Sequence, residues 1–160
     1  MAIPSEEPDT TLVTYRPEFR EAFARLNRDW LEAHSLLEPA DVEHLRHPEV
    51  HILSPDGQIF FALQDGEVVG TCAAIRISPG VFELAKLAVA PVAQGQGLGR
   101  RLSERVIQFA REAGASKVEL TSHTDLAQAI RLYESLGFRH EPIPPDVRYQ
   151  LANVYMTLSL

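Results

Sequence analysis

The sequence predicts an α/β fold of the α+β kind, in which a mixed, mostly antiparallel central sheet is flanked by helices. Three observations carry that expectation. Apolar residues recur at helical spacing from Phe19 to Trp30, form strand-like runs from Ile59 to Val89, and return to helical spacing from Leu102. A glycine-rich stretch, Gln94–Gly99, joins a strand directly to a helix. The element order also lacks the repeated strand–helix–strand units of a doubly wound dinucleotide fold.

The elements follow in order. Met1–Thr10 is acidic and proline-bearing. Residues 1–11 are therefore expected to be a flexible tail, ahead of a single domain over 12–160. Leu12–Tyr15 alternates as a short strand, and Arg16-Pro17 opens a helix. Phe19, Phe23, Leu26 and Trp30 share one face of that helix. A second, shorter helix starts at Pro39 with Val42 and Leu45 inward, and Pro48 stops it. Strands are expected over Ile59–Leu63 and Val68–Ile75, joined through Asp65-Gly66, a pair suited to a tight hairpin turn. Ser78-Pro79-Gly80 turns again into a strand over Val81–Val89. The next helix carries Leu102, Val106, Phe109 and Ala113 and stops at Gly114. A strand at Lys117–Thr121, a helix at Leu126–Leu136 stopped by Gly137, and a closing strand at Asn153–Leu158 complete the chain.

Composition narrows the function. The 160 residues are 45% hydrophobic and 23% charged, an ordinary globular balance. Fifteen Lys and Arg against 22 Asp and Glu leave a net charge of -7, which argues against a general nucleic-acid binder. That charge sooner attracts a cationic small molecule or a basic peptide. One cysteine, Cys72, excludes an internal disulfide, and a reducing, cytoplasmic setting is expected. No apolar run has membrane-spanning length, and no signal peptide is read at Met1–Thr10, so no membrane association is expected.

The segment from Ala90 to Arg100 is the most informative. Glycines at 95, 97 and 99 lie between a strand and a helix, where free amides meet the positive end of a helix dipole. Such a loop holds anions, phosphates in particular, and Arg100 and Arg101 add charge from the first turn. A Walker A loop fails because position 100 is arginine rather than lysine. The dinucleotide fingerprint fails on the same residue, where a glycine or alanine is required.

The loop does fit a Gln/Arg-x-x-Gly-x-Gly/Ala pattern, Gln94-Gly95-Gln96-Gly97-Leu98-Gly99, preceded by Leu87-Ala88-Val89-Ala90-Pro91. A second segment, Ala129-Ile130-Arg131-Leu132-Tyr133-Glu134-Ser135-Leu136-Gly137-Phe138, follows at the matching distance. Together they resemble the acetyl-CoA loop and fourth helix of the GNAT superfamily of N-acetyltransferases. The resemblance runs from about Tyr15 to Leu158 and is sharpest over Phe82–Phe138. It is close to GNAT domains that are sometimes fused behind a helix-turn-helix regulator, although no such module is read here.

The resemblance implies a GNAT-type sheet, acetyl-CoA as cosubstrate without a metal, and direct acetyl transfer to a primary amine of a small molecule or peptide. It implies that Gln94, Gly95, Gln96, Gly97, Leu98, Gly99 and Arg100 hold the diphosphate. Leu87, Ala88 and Val89 would offer main-chain groups to the pantetheine arm and polarise the carbonyl. Tyr133 would hydrogen-bond the coenzyme sulfur and protonate the departing thiolate. The residues alone say only that Tyr133 shares a helical face with Ala129 and Ile130, and a buried core tyrosine is the alternative.

An amine of ordinary pKa near 10.4 is neutral about once per thousand molecules at pH 7, a cost of roughly 4–5 kcal/mol. Glu83, on the strand leading into the loop, is the first candidate for the base that offsets it. The alternative is a solvated carboxylate or a partner for Lys86. In an unbroken strand, residues 83 and 86 point to opposite faces. Lys86 is also a candidate for orienting the acceptor. Many family members carry asparagine seven residues before the tyrosine, where this chain has Leu126, and closer relatives carry it ten before, where this chain has His123. His123 stands as a substrate contact, a second candidate base, or a cap on the following helix. Trp30 is either part of the acceptor wall or plain core on the Phe19 stripe.

His44, His47 and His51 cluster in sequence without completing a zinc pattern. Cys72 has no base beside it in sequence, which leaves a covalent intermediate weakly motivated. Two other functions stand as alternatives. One is an acyl-CoA-binding sensor with little catalysis; the other is an interaction domain forming a homodimer through an exposed closing strand.

Overall fold

The computed structural model describes residues 8–160. Part of the expected tail lies outside that range. The first strand, β1, already begins at Thr10 and runs to Thr14. One turn of 3-10 helix, Pro17–Phe19, leads into α1, Arg20–Ala33, and then α2, Pro39–Arg46. A π-helical turn at Glu49–Leu53 precedes three antiparallel strands: β2, Gln58–Gln64; β3, Glu67–Ser78; and β4, Val81–Val89. Helix α3, Leu98–Glu112, strand β5, Lys117–Ser122, and helix α4, Ala127–Ser135, follow. The chain ends with β6, Arg139–Glu141, and β7, Val154–Ser159.

The seven strands form one sheet in the order β1-β2-β3-β4-β5-β7-β6. Only β4 and β5 run parallel, so the expected mixed, mostly antiparallel sheet is present. The β2–β3 hairpin turns where Asp65 and Gly66 take φ of 51° and 77°, the positive values a tight turn requires.

Side chains leave a strand alternately to its two faces, and here both faces are covered. Phe60 and Ala62 on β2, with Cys72 and Ala74 on β3, enter the core beneath α3, where Leu102, Val106 and Ala110 are buried. Ile59, Phe61, Ala73 and Ile75 enter the opposite core, against Phe19 and Phe23 before and in α1 and Leu45 in α2. This double burial explains why β2 and β3 read as nearly continuous apolar runs.

Two features differ from expectation. The closing strand β7 is not exposed, because β5 and β6 pair with its two edges. β7 is therefore not the free edge that the alternative of a homodimer through the closing strand supposed. The outer strand is β6, whose three residues, Arg139-His140-Glu141, carry no apolar signal that sequence reading could detect.

Candidate active site

Strands β4 and β5 pair only where Val81, Phe82 and Glu83 face Lys117, Val118 and Glu119. Past Glu83 they part, and Leu84–Val89 has no strand on its β5 side. A cavity of about 420 Å³ fills the opening. The sequence-predicted residues Trp30, Glu83, Lys86, Leu87, Ala88, Val89, Gln94, Gly95, Gly97, Leu98, Gly99, Arg100, His123 and Tyr133 all line it. Gln96 does not. Its side-chain oxygen turns away and accepts a 2.6 Å hydrogen bond from Gln64 on β2.

The loop at one end presents free backbone amides. Backbone bonding runs from the Gln94 amide to the Pro91 carbonyl, 3.3 Å, and resumes with the Arg101 amide on the Gly97 carbonyl, 3.1 Å. Between them, the amides of Gly95 through Arg100 have no backbone acceptor among the described residues. Gly95 and Gly97 sit at φ of 81° and 76°, which side-chain-bearing residues rarely adopt, and Gly97 caps the N-terminus of the fifteen-residue α3. Free amides at a helix N-terminus suit a diphosphate. Arg100 is braced by Glu104 at 3.3 Å and by the Ser135 hydroxyl, so its guanidinium is held at the rim. Arg101 reaches instead to the Thr10 carbonyl, 3.4 Å away.

Tyr133 lines the cavity, buried against Phe138 with ring centroids 6.0 Å apart. Burial pushes its hydroxyl far above the ordinary phenol range, so it stays protonated at any working pH. Cys72 is fully buried in the core, is absent from the cavity wall, and directs Sγ at the Ala85 carbonyl, 3.6 Å. Burial raises its pKa as well, which removes it as a nucleophile.

The other end of the cavity is charged. Between Thr71↔Ala88 and Ala73↔Ala85, β4 carries one residue more than β3, a bulge at which Lys86 takes φ of 58°. The bulge turns Lys86 to the same side as Glu83. The two do not pair, however. Lys86 forms a buried ion pair with Asp41 of α2 and stands 4.8 Å over the Tyr149 ring. Glu83 accepts a 2.7 Å hydrogen bond from the Arg148 guanidinium at Oε1, and Oε2 lies 3.4 Å from the Tyr149 hydroxyl. Burial raises the Glu83 pKa, while Arg148 and Lys86 oppose that rise. The reading of Glu83 as a solvated carboxylate is overturned, since it is 6% exposed.

His123 is held by its local backbone, with Nδ1 accepting the Asp125 amide at 3.0 Å. It thus braces the turn before α4 while lining the cavity. Trp30 packs on His34, ring centroids 4.5 Å apart, and lies on the cavity wall outside both cores. Among the described residues, no group of three or more His, Cys, Asp or Glu side chains is placed to hold a metal ion, although His44 and His51 meet edge to face with ring centroids 5.7 Å apart. No described helix is long and apolar enough to cross a membrane.

Sequence reasoning missed Glu38, Asp41, Arg148 and Tyr149, and it weighed His44 only as a metal ligand. Each is far from Glu83 in sequence and belongs to no motif. The proline-rich run before Val147 marks a loop, but not where it lands.

Comparison with known proteins agrees with this geometry. Residues 17–138 match the model of the acetyltransferase (GNAT) family. The IAA acetyltransferase of Azospirillum brasilense is 37% identical over 116 residues, covering 69% of this chain and 74% of that protein. The N-acetylaspartate synthetase of Rattus norvegicus is 37% identical over 114 residues, covering 70% of this chain but only 37% of that longer protein. A GNAT-family acetyltransferase from Staphylococcus aureus Mu50 superposes with a TM-score of 0.85 at 19% identity, over 95% of this chain and 99% of that one. The tie to domains fused behind helix-turn-helix regulators finds no support among these relatives. Because the matched span holds both the glycine loop and the Gly137-Phe138 exit of α4, the chain belongs to the acetyltransferase (GNAT) family.

Proposed function

We propose that this chain moves an acetyl group from acetyl-CoA directly onto a primary amine of a small molecule or peptide, with Glu83 as general base and Tyr133 as general acid. One observation carries the reading: the anion loop, the unpaired edge of β4, Tyr133 and Glu83 all face one continuous cavity. The coenzyme supplies an activated thioester when bound; the rest falls to the chain. The free amides from Gly95 to Arg100 hold the diphosphate, and main-chain groups of Leu87–Val89 receive the pantetheine arm and polarise the carbonyl. Glu83 takes the proton from the amine, lowering the cost of presenting a neutral nucleophile. Tyr133, kept protonated by burial, supplies a proton to the departing sulfur.

Direct transfer is supported by the position of Cys72, which faces the core rather than the cavity. A cationic acceptor is supported by the charges at the acceptor end, where Glu38, Asp41 and Glu83 outnumber Lys86 and Arg148. Trp30 and His123 form the wall past which the acceptor enters.

The test is a thermal-shift titration with acetyl-CoA, CoA and desulfo-CoA, followed by thiol release across a panel of amines that includes polyamines, amino acids and aspartate. Ligand at a hundredfold above its dissociation constant adds about 2.7 kcal/mol of stability. A shift with turnover on one amine class supports the proposal. A shift with no turnover on any amine assigns a sensor instead, and no shift removes the loop assignment.

A further inference from the structure

The base proposed above is not alone. Arg148 lies in the loop between β6 and β7, and both arms of its guanidinium are engaged. Nη2 donates to Glu83 Oε1 at 2.7 Å, and Nη1 donates to His44 Nε2 at 2.8 Å. The tautomer of His44 follows from its surroundings. Nδ1 lies 2.9 Å from the Ala40 carbonyl, which can only accept, so Nδ1 carries the hydrogen and Nε2 is free to accept from Arg148. The imidazole is neutral. Its burial, with Lys86 and Arg148 beside it, lowers its pKa to about 3.

The loop itself is fastened to α2. The Glu38 carboxylate, just ahead of the helix, accepts the Gln150 amide at 2.6 Å and the Leu151 amide at 3.0 Å. The segment carrying Arg148 and Tyr149 is therefore held at both its backbone and its side chains. Partly exposed surface ion pairs normally contribute little, because two long side chains must be ordered to make them. Here α2 has already ordered the guanidinium, and the carboxylate it meets is buried.

Charged and titratable groups surround Glu83 on several elements, with Asp146 of the loop after β6 among them. Lys86 stands on its own strand, Glu119 on β5, Arg148 and Tyr149 on the loop, and Asp41 and His44 on α2. Asp41 is consumed by Lys86, and Glu119 by the Tyr155 hydroxyl at 2.6 Å. Arg148 is thus the cation in direct hydrogen-bond contact with the carboxylate.

We infer that Arg148 is a positioning residue that sets the proton affinity and orientation of Glu83, and that neutral His44 holds Arg148 to that task. This rests on the reading of Glu83 as base, and it adds a residue with no place in the glycine-loop resemblance. Without Arg148, only the long hydrogen bond from the Tyr149 hydroxyl, 3.4 Å, touches the carboxylate, and no cation in contact offsets its burial. Glu83 would then hold its proton into the working pH range and be lost as a base there.

The experiment compares the full-length protein with Arg148→Met, Arg148→Lys and Glu83→Gln by two readouts. The first is the carboxyl carbon-13 titration of glutamate-labelled protein, with the Glu83 signal assigned by its loss in Glu83→Gln. The second is the pH profile of thiol release at limiting amine. An opposite charge in contact shifts a carboxylate by about one to three pH units. Arg148→Met should raise the Glu83 titration and the acid limb together by that amount, with activity recovering at high pH. Arg148→Lys keeps the charge but has only one head for two acceptors, so it should fall between. A Glu83 titration unmoved in both variants overturns the inference. A titration that moves while the acid limb persists in Glu83→Gln supports the Arg148–Glu83 coupling and overturns the base assignment instead.

Discussion

Glu83 and Lys86, three residues apart on β4, each lie 3.4 Å from the same hydroxyl, that of Tyr149. A regular strand would direct them to opposite faces of the sheet. The bulge at Lys86 brings them together, and it does so at the point where β4 leaves β5. The widening of the sheet and the gathering of charge are therefore one local event in the backbone.

Lys86 and Asp41 are 4% and 5% exposed in their side chains. Removing one member of such a buried pair leaves the other uncompensated, at about 3–5 kcal/mol. Lys86→Met should lower stability by that amount in urea unfolding. Adding Asp41→Asn should restore much of it, because the stranded charge is then gone. A Lys86→Met protein as stable as the parent would show that the pair contributes nothing.

Tyr133→Phe keeps the ring packed on Phe138 and removes only the hydroxyl. We expect kcat to fall about 10²-fold, within the usual range for a lost acid catalyst. The KM for acetyl-CoA should hardly change. A fall in melting temperature without a change in kcat would identify a core tyrosine and nothing more.

Gly97 needs its positive φ, yet a Cβ built there meets nothing within 4 Å. Gly97→Ala should therefore cost about 1–2 kcal/mol through backbone conformation rather than through a clash. It should also raise the KM for acetyl-CoA, since the amides at the start of α3 must move. Equilibrium unfolding and initial rates separate the two effects.

His44 supplies a pH dependence of stability. Its folded pKa, about 3, lies below its unfolded value near 6.5. The unfolded chain therefore binds the extra proton first, and stability is lost as pH falls from 6.5 toward 3. Between pH 7 and 5 the loss is about 2 kcal/mol. Glu83 works in the opposite sense, because its raised pKa makes the folded state the better proton acceptor above pH 4.5. The difference between the parent and His44→Asn isolates the histidine: the parent should lose its advantage as pH drops. Parallel stability curves would rule this out.

Local pattern made much of the architecture legible before the structure. The Asp65-Gly66 turn, the Pro39 helix start and the glycine loop are each short-range devices whose backbone demands are written in residue type. The acceptor end was not legible, because it is assembled from residues 38–44, 83–86 and 148–151 by the sheet and the loop after β6. The bulge leaves no glycine signal in the sequence, because a lysine takes the positive φ. Glu83 is marked in the sequence by its place on the strand before the loop, whereas its partners come only from tertiary structure. Trp30 shares its helical spacing with core residues, and only the cavity wall tells it apart.

Direct transfer requires acetyl-CoA and the amine to occupy one cavity together. Initial rates of thiol release, with acetyl-CoA and the best amine varied together, test it. Both substrates bound at once require intersecting double-reciprocal lines and no thiol release before amine is added. Parallel lines, or a burst of one thiol per protein in the absence of amine, would demand an acetylated residue and contradict the account.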